Sequence, residues 1–202
     1  MIVNGETCII PRHKRYCESY FGSFYLPNQQ KDLKNNRPAT DYKMKKKVSI
    51  FVDVQNIYYT TRKQFNSNFD YNKFWKLVTH EREVVAAIAY TTNRGDIKQI
   101  QFQNILRAIG FEVKLKPFIS RSDGSSKGDW DVGITIDIME HADKCDIVVL
   151  ASGDGDFDIL IEKINLLYNK ETEIYGVSNL TANSLKNAAS NFFPINNELL
   201  LK

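Results

Sequence analysis

Asp146-Ile-Val-Val-Leu-Ala-Ser-Gly-Asp-Gly-Asp-Phe157 is the stretch whose reading decides the fold. Asp146–Ser152 is a nearly pure apolar run with β-branched residues at its centre, as in a strand covered on both faces. Val48-Ser-Ile-Phe-Val-Asp53 is a second run of this kind, Glu83–Thr92 a third and Glu173–Val177 a fourth. Phe111–Phe118 alternates apolar and charged residues like a half-exposed or edge strand, and Phe192–Ile195 reads as a short closing strand. Helical patterns lie between them at Asn56–Phe65, Tyr71–Thr79, Trp130–Ala142, Phe157–Tyr168 and Thr181–Ser190. A further helix starts from Asp96 as N-cap and stops at Gly110. Ile119–Lys127 reads as a Ser/Gly loop. Alternating strands and helices of this composition predict an α/β fold, a parallel sheet with helices on both faces. Ligands of such sheets bind beyond the carboxyl ends of strands, where strand order reverses.

Those ends carry acids. Asp53 closes the first strand, and Asp154 and Asp156 follow the Ile-Val-Val-Leu-Ala run. Asp129 and Asp131 open a helix in Lys127-Gly-Asp-Trp-Asp-Val132. Taken singly, Asp53 is readable as a turn cap, Asp131 or Asp129 as a helix N-cap, and Asp-Gly-Asp as an ordinary turn. Taken together they form a charge problem. Two carboxylates about 5 Å apart repel by roughly 3 kcal/mol at an effective dielectric of 20. Several in one pocket require protons or a hard cation with oxygen ligands, for which Mg²⁺ or Mn²⁺ is suited. An EF-hand reading of Asp154, Asp156 and Asp158 fails, because position six is Ile159 and position twelve is Asn165. No GxGxxG follows a strand and no GxxxxGK[ST] occurs, so dinucleotide and P-loop chemistry are unsupported. His13, His80 and His141 have no metal-ligand spacing.

The chain has 202 residues, 43% hydrophobic and 25% charged, which fits one globular domain plus an extension. Residues 1–47 carry ten Lys/Arg against four Asp/Glu, whereas the remainder carries 17 against 20. A basic arm on an acidic body implies an anionic partner. The expected division is a basic N-terminal extension over 1–46, a domain over 47–196 and a tail over 197–202. No apolar run approaches a membrane span, and no leader-like segment opens the chain. Cys8, Cys17 and Cys145 make an odd count with no CxxC pair, which fits a reducing cytoplasm.

Three stretches carry a resemblance: Phe51-Val-Asp-Val-Gln-Asn56, Lys127-Gly-Asp-Trp-Asp-Val-Gly-Ile-Thr-Ile-Asp137 and Val148-Val-Leu-Ala-Ser-Gly-Asp-Gly-Asp-Phe157. They resemble the NYN domain, in its LabA-like branch, within the PIN-like nuclease superfamily. The resemblance implies a three-layer α/β/α, Rossmann-like sheet of order 3-2-1-4-5, which makes the first and fourth strands neighbours. It also implies a metal-dependent ribonuclease. Asp53, Asp131, Asp154 and Asp156 fall on the family's acidic positions and would hold Mg²⁺ or Mn²⁺ for hydrolysis of an RNA phosphodiester. Asn56 falls on its characteristic Asn. Asp137 follows the second acidic element and ranks below those four. The family's extra acid is not obvious here, with Asp96 as its one candidate.

Asn56, Lys127, Arg94 and Ser152 are the candidate substrate contacts. Lys43, Lys45, Lys46, Lys47, Lys98 and Arg121 are further cations for an RNA backbone. Tyr58, Tyr59, Phe118 and Trp130 are candidate stacking residues for a single strand. The expected partner is therefore RNA, with no membrane, and a homo-oligomer is compatible. Two alternatives stay open: a non-catalytic RNA- or protein-binding regulatory module, and a metal-dependent phosphatase.

Overall fold

The computed structural model describes residues 44–93, 95–117, 119–120, 126–127 and 129–202, of which 117, 119, 120, 126 and 127 by backbone alone. The basic arm before residue 44 lies outside the described residues, as do Arg94, Phe118 and Arg121. The elements run β1 (Lys47–Asp53), α1 (Val54–Phe65), α2 (Tyr71–Thr79), β2 (Glu83–Asn93), α3 (Ile97–Ile109) and β3 (Glu112–Pro117). They continue β4 (Ile119–Ser120), β5 (Ser126–Lys127), α4 (Asp131–Ala142), β6 (Ile147–Ala151), α5 (Asp158–Tyr168), β7 (Glu171–Gly176), α6 (Asn183–Ala188) and β8 (Asn191–Pro194).

Among the described residues the main sheet has the order β3-β2-β1-β6-β7-β8, and every neighbouring pair is parallel. This is the expected five-strand order with β8 added beyond β7. The segment expected as a plain loop holds a small antiparallel pair, β4 with β5. The last helix is shorter than its composition predicts, because Ala189 already has extended backbone.

Period two sorts the strand side chains into two cores. Val48, Ile50 and Val52 of β1 and Ile147, Val149 and Ala151 of β6 enter the core under α1, α2 and α3. Phe51, Val148 and Leu150 enter the core under α4, α5 and α6. Three layers result; β6 is apolar on both sides, and β1 is so but for the buried Ser49, because both sides are covered. Continuing the alternation, Asp53 follows Phe51 toward the α4 side.

Asp137 is a buried acid in the apolar stripe of α4, beside Ile134 and Ile138. Its Oδ2 accepts from the Tyr90 hydroxyl at 2.7 Å, and Lys114 Nζ lies 2.8 Å from each carboxylate oxygen. The group clamps α4 to β2 and β3. Asp137→Ala leaves a phenol and an ammonium without their shared partner. The expected loss is about 3 kcal/mol of unfolding free energy, read by urea denaturation.

Residues 195–201 return across the link between α1 and α2. Asp70 N donates to Leu199 O at 2.8 Å, Leu201 N to Asn68 O at 2.9 Å and Ser67 Oγ to Leu201 O at 2.8 Å. Leu199 and Leu200 are buried there. No helix among the described residues is long and apolar enough to cross a membrane.

Candidate metal centre

The strand order reverses between β1 and β6, so their carboxyl ends flank the crevice that such sheets use for ligands. Asp53 ends β1. Ser152, Gly153, Asp154, Gly155 and Asp156 follow β6. Asp131 comes from a third segment, at the start of α4. Oxygens of Asp131, Asp154 and Asp156 all lie within 4.8 Å of one another, the one such grouping of three among the described residues.

Asp53 is the buried acid beside this triad, 8% exposed. Its Oδ1 accepts from Asn56 N at 3.0 Å, so it caps α1 as well as facing the site. Burial pushes its carboxyl up from 3.8 to about 6. The Asn56 backbone N–H opposes that rise, and the charges of Asp131 and Asp154 add to it. Burial likewise raises the Asp131 carboxyl, with the charges of Asp154, Asp129 and Asp156 next in order. Four acids close enough to disturb one another, at a reversal of strand order, make a site that a cation would relieve.

The backbone around the cluster is held by side chains that the sequence offers as substrate contacts. Ser152 is fully buried. Its hydroxyl accepts from Asp154 N at 3.2 Å and reaches Asp53 Oδ2 at 3.5 Å, tying two acids together. Asn56 Oδ1 accepts from Gly153 N at 2.9 Å, which fastens α1 to the loop after β6. Asp154 Oδ1 accepts from Asp156 N at 3.1 Å and shapes the 3₁₀ turn Gly155–Phe157. Gly153 is required by space: a Cβ there would stand 2.9 Å from Leu180 O.

Asp131 reaches the site because Trp130 anchors the start of α4. The indole Nε1 donates to Thr91 O at 2.9 Å, and the ring lies 5.3 Å from Tyr90 with Lys116 Nζ 5.4 Å from its centroid. A Cβ at Gly133 would sit 2.7 Å from that ring. Trp130 is thus a fixed wall and not a free stacking surface. It is also the N-cap position and gives no side-chain cap bond, so neither Asp129 nor Asp131 is spent on capping α4. Asp129 is exposed.

Other expected residues lie elsewhere. Asp96 caps α3 through Gln99 N at 2.8 Å and is not part of the triad. Lys46 and Lys47 stand at the opposite end of the seven-residue β1 from Asp53, about 20 Å away, and Lys46 pairs with Glu171 at 2.8 Å. They cannot serve a phosphate at the acids. Lys98 opens α3 at the sheet end that holds the acids. Arg94 and the Lys127 side chain lie outside the described residues. His141 packs against Phe51 and its Nδ1 lies 2.8 Å from Asp137 O, a structural position.

The sequence reading missed the bracing role of Ser152 and the anchoring role of Trp130. The Gly at 133, three residues after a Trp, was a signal for the second. A ring lying along a helix start needs a residue without a Cβ one turn on.

The family model of the NYN domain matches residues 47–196. The low amplitude and bright protein LabA of Synechococcus elongatus is 32% identical over 160 residues, covering 74% of this chain and 84% of that protein. A crystal structure of a protein of unknown function from Vibrio parahaemolyticus has a TM-score of 0.75 and 55% identity, covering 79% of this chain and 98% of that one.

Proposed function

Since the chain belongs to the NYN domain family, in its LabA-like branch within the PIN-like nuclease superfamily, we propose that it is a metal-dependent ribonuclease acting on single-stranded RNA. The observation that carries the reading is the convergence of Asp131, Asp154 and Asp156 beside buried Asp53, from three segments distant in sequence.

The donor set fits a hard divalent ion. All donors are carboxylate oxygens, which match Mg²⁺ or Mn²⁺ and offer nothing to a soft metal. Asp131, Asp154 and Asp156 would hold the ion, with Asp53 as the buried fourth charge. When bound, such an ion supplies a nucleophilic water near neutral pH and offsets charge on the phosphate. The chain's own residues do the positioning. Ser152 and Asn56 fix the loop that presents Asp154 and Asp156. Trp130 fixes the helix start that presents Asp131. The Asp154 carboxylate, through Asp156 N, keeps the Gly155 turn in shape. The domain over 47–196 is proposed to carry this activity alone, in the cytoplasm, with the basic arm adding affinity for the anionic strand.

The test is a panel of single-stranded RNA, single-stranded DNA and p-nitrophenyl phosphate, with Mg²⁺, Mn²⁺ or chelator. Cleavage of RNA in Mn²⁺ that chelator abolishes is the expected result. Turnover of the monoester alone would assign a phosphatase. RNA binding without turnover under every metal would assign a non-catalytic module.

A further inference from the structure

A cleft of about 600 Å³ opens between α1, the end of β2 and the first turns of α2 and α3. None of the four acids lines it, but its wall adjoins Asp53, whose charge reaches Tyr71 in the lining. Val54 lines it and follows Asp53 directly; Thr91 lines it and holds the indole of Trp130, the neighbour of Asp131. Its contents are aromatic and polar together. Tyr58 and Tyr59 lie on α1, 49% and 53% exposed, with ring centroids 5.4 Å apart in an edge arrangement. Gln55 and Lys98 supply an amide and a cation.

Tyr71, also in the lining, is the telling residue. It is only 8% exposed, and its ring is fixed by Phe69 at 5.1 Å and Phe102 at 5.4 Å. No hydrogen bond joins its hydroxyl to any described residue. Asp53 is its charged neighbour, and burial together with that charge keeps the phenol protonated. The ring is buried, but the hydroxyl oxygen is not enclosed: it opens into the cleft, where a ligand can pair it. An apolar occupant would leave it unpaired, whereas a flat ligand with a polar edge would satisfy both the hydroxyl and the exposed rings.

We propose that this cleft is a nucleobase subsite, which takes the base next to the phosphate held at the acids, stacks it on Tyr58 and Tyr59, and receives a hydrogen bond from the Tyr71 hydroxyl. The phosphate half of this statement rests on the ribonuclease reading; the base half rests on the cleft. Lys98 then faces the strand's next phosphate.

The experiment has two arms. In the first, 2-aminopurine riboside, an uncharged fluorescent nucleoside, is titrated into the full chain, its Tyr71→Phe form and its Tyr58→Ala/Tyr59→Ala form. Saturable quenching is expected for the parent, with affinity roughly 5- to 100-fold weaker in the double variant, the range for a lost base–aromatic stack. Tyr71→Phe keeps the ring, so its expected loss of about fivefold reports the hydroxyl alone. In the second arm, cleavage of an oligoribonucleotide is compared with that of an abasic oligomer, a diester without bases or any other aromatic ring. KM for the oligonucleotide rises in the variants while turnover of the base-free diester is unchanged. Absent quenching with the parent, or quenching that both variants keep, overturns the subsite. Quenching that follows the variants in a protein that cleaves neither diester upholds the subsite and sinks the ribonuclease reading.

Discussion

Asp154→Asn is expected to fold as the parent does and to lose more than about 100-fold of its manganese-dependent cleavage of single-stranded RNA. The asparagine keeps the Oδ1 acceptor that receives Asp156 N at 3.1 Å, so the turn around Gly155 retains its shape. What disappears is one negative charge from three groups whose oxygens lie within 4.8 Å. Metal affinity should fall with it. The parent's melting temperature should rise on adding Mn²⁺ by ligand linkage, and the variant's should rise much less. In chelator the variant should melt no lower than the parent, since it carries less internal repulsion. Cleavage assays and thermal melts in the two conditions check the three statements. Undiminished cleavage would remove Asp154 from the site.

Asp53→Asn should reveal the cost of the buried acid. In chelator, the folded parent holds this carboxyl at about 6 against 3.8 for the ordinary group. A raised acid binds its proton more tightly when folded, so its contribution is fully present below about pH 4 and is lost as pH rises to about 6. The interval of about two pH units corresponds to about 3 kcal/mol. Asparagine does not titrate and still offers an oxygen to Asn56 N. The stability of the variant relative to the parent should therefore improve by about 3 kcal/mol between pH 4 and pH 7, then stay level. Urea unfolding at pH 4, 5, 6 and 7 measures it. A difference independent of pH would show that Asp53 is ordinarily solvated.

The strands of the sheet were legible because burial on both faces leaves runs such as Ile-Val-Val-Leu-Ala with no polar interruption. The order of strands was legible only through the resemblance, since hydrophobic pattern says which faces are covered and not who the neighbours are. The four acids were legible as types at strand ends and a helix start. Their convergence needed the crossover from β3 to β6, which no local pattern encodes. The bracing role of Ser152 was not legible, because a hydroxyl beside two acids has the same composition whether it meets a ligand or holds the backbone. Tyr71 was invisible for a related reason: at the start of α2 it is one aromatic among many, and only its hydroxyl opening on a cleft distinguishes it. Asp137 was placed below the other acids, and its partners Tyr90 and Lys114 explain why it belongs to the scaffold.

β1 pairs with β6 across most of the domain's length, Val48 against Ile147. Asp154 leaves the ribosome about a hundred residues after Asp53. A nascent chain, surrounded by ribosomal and messenger RNA, thus carries only fragments of the acid cluster. The seam that builds the sheet withholds the assembled acid cluster until β6 has emerged and paired with β1.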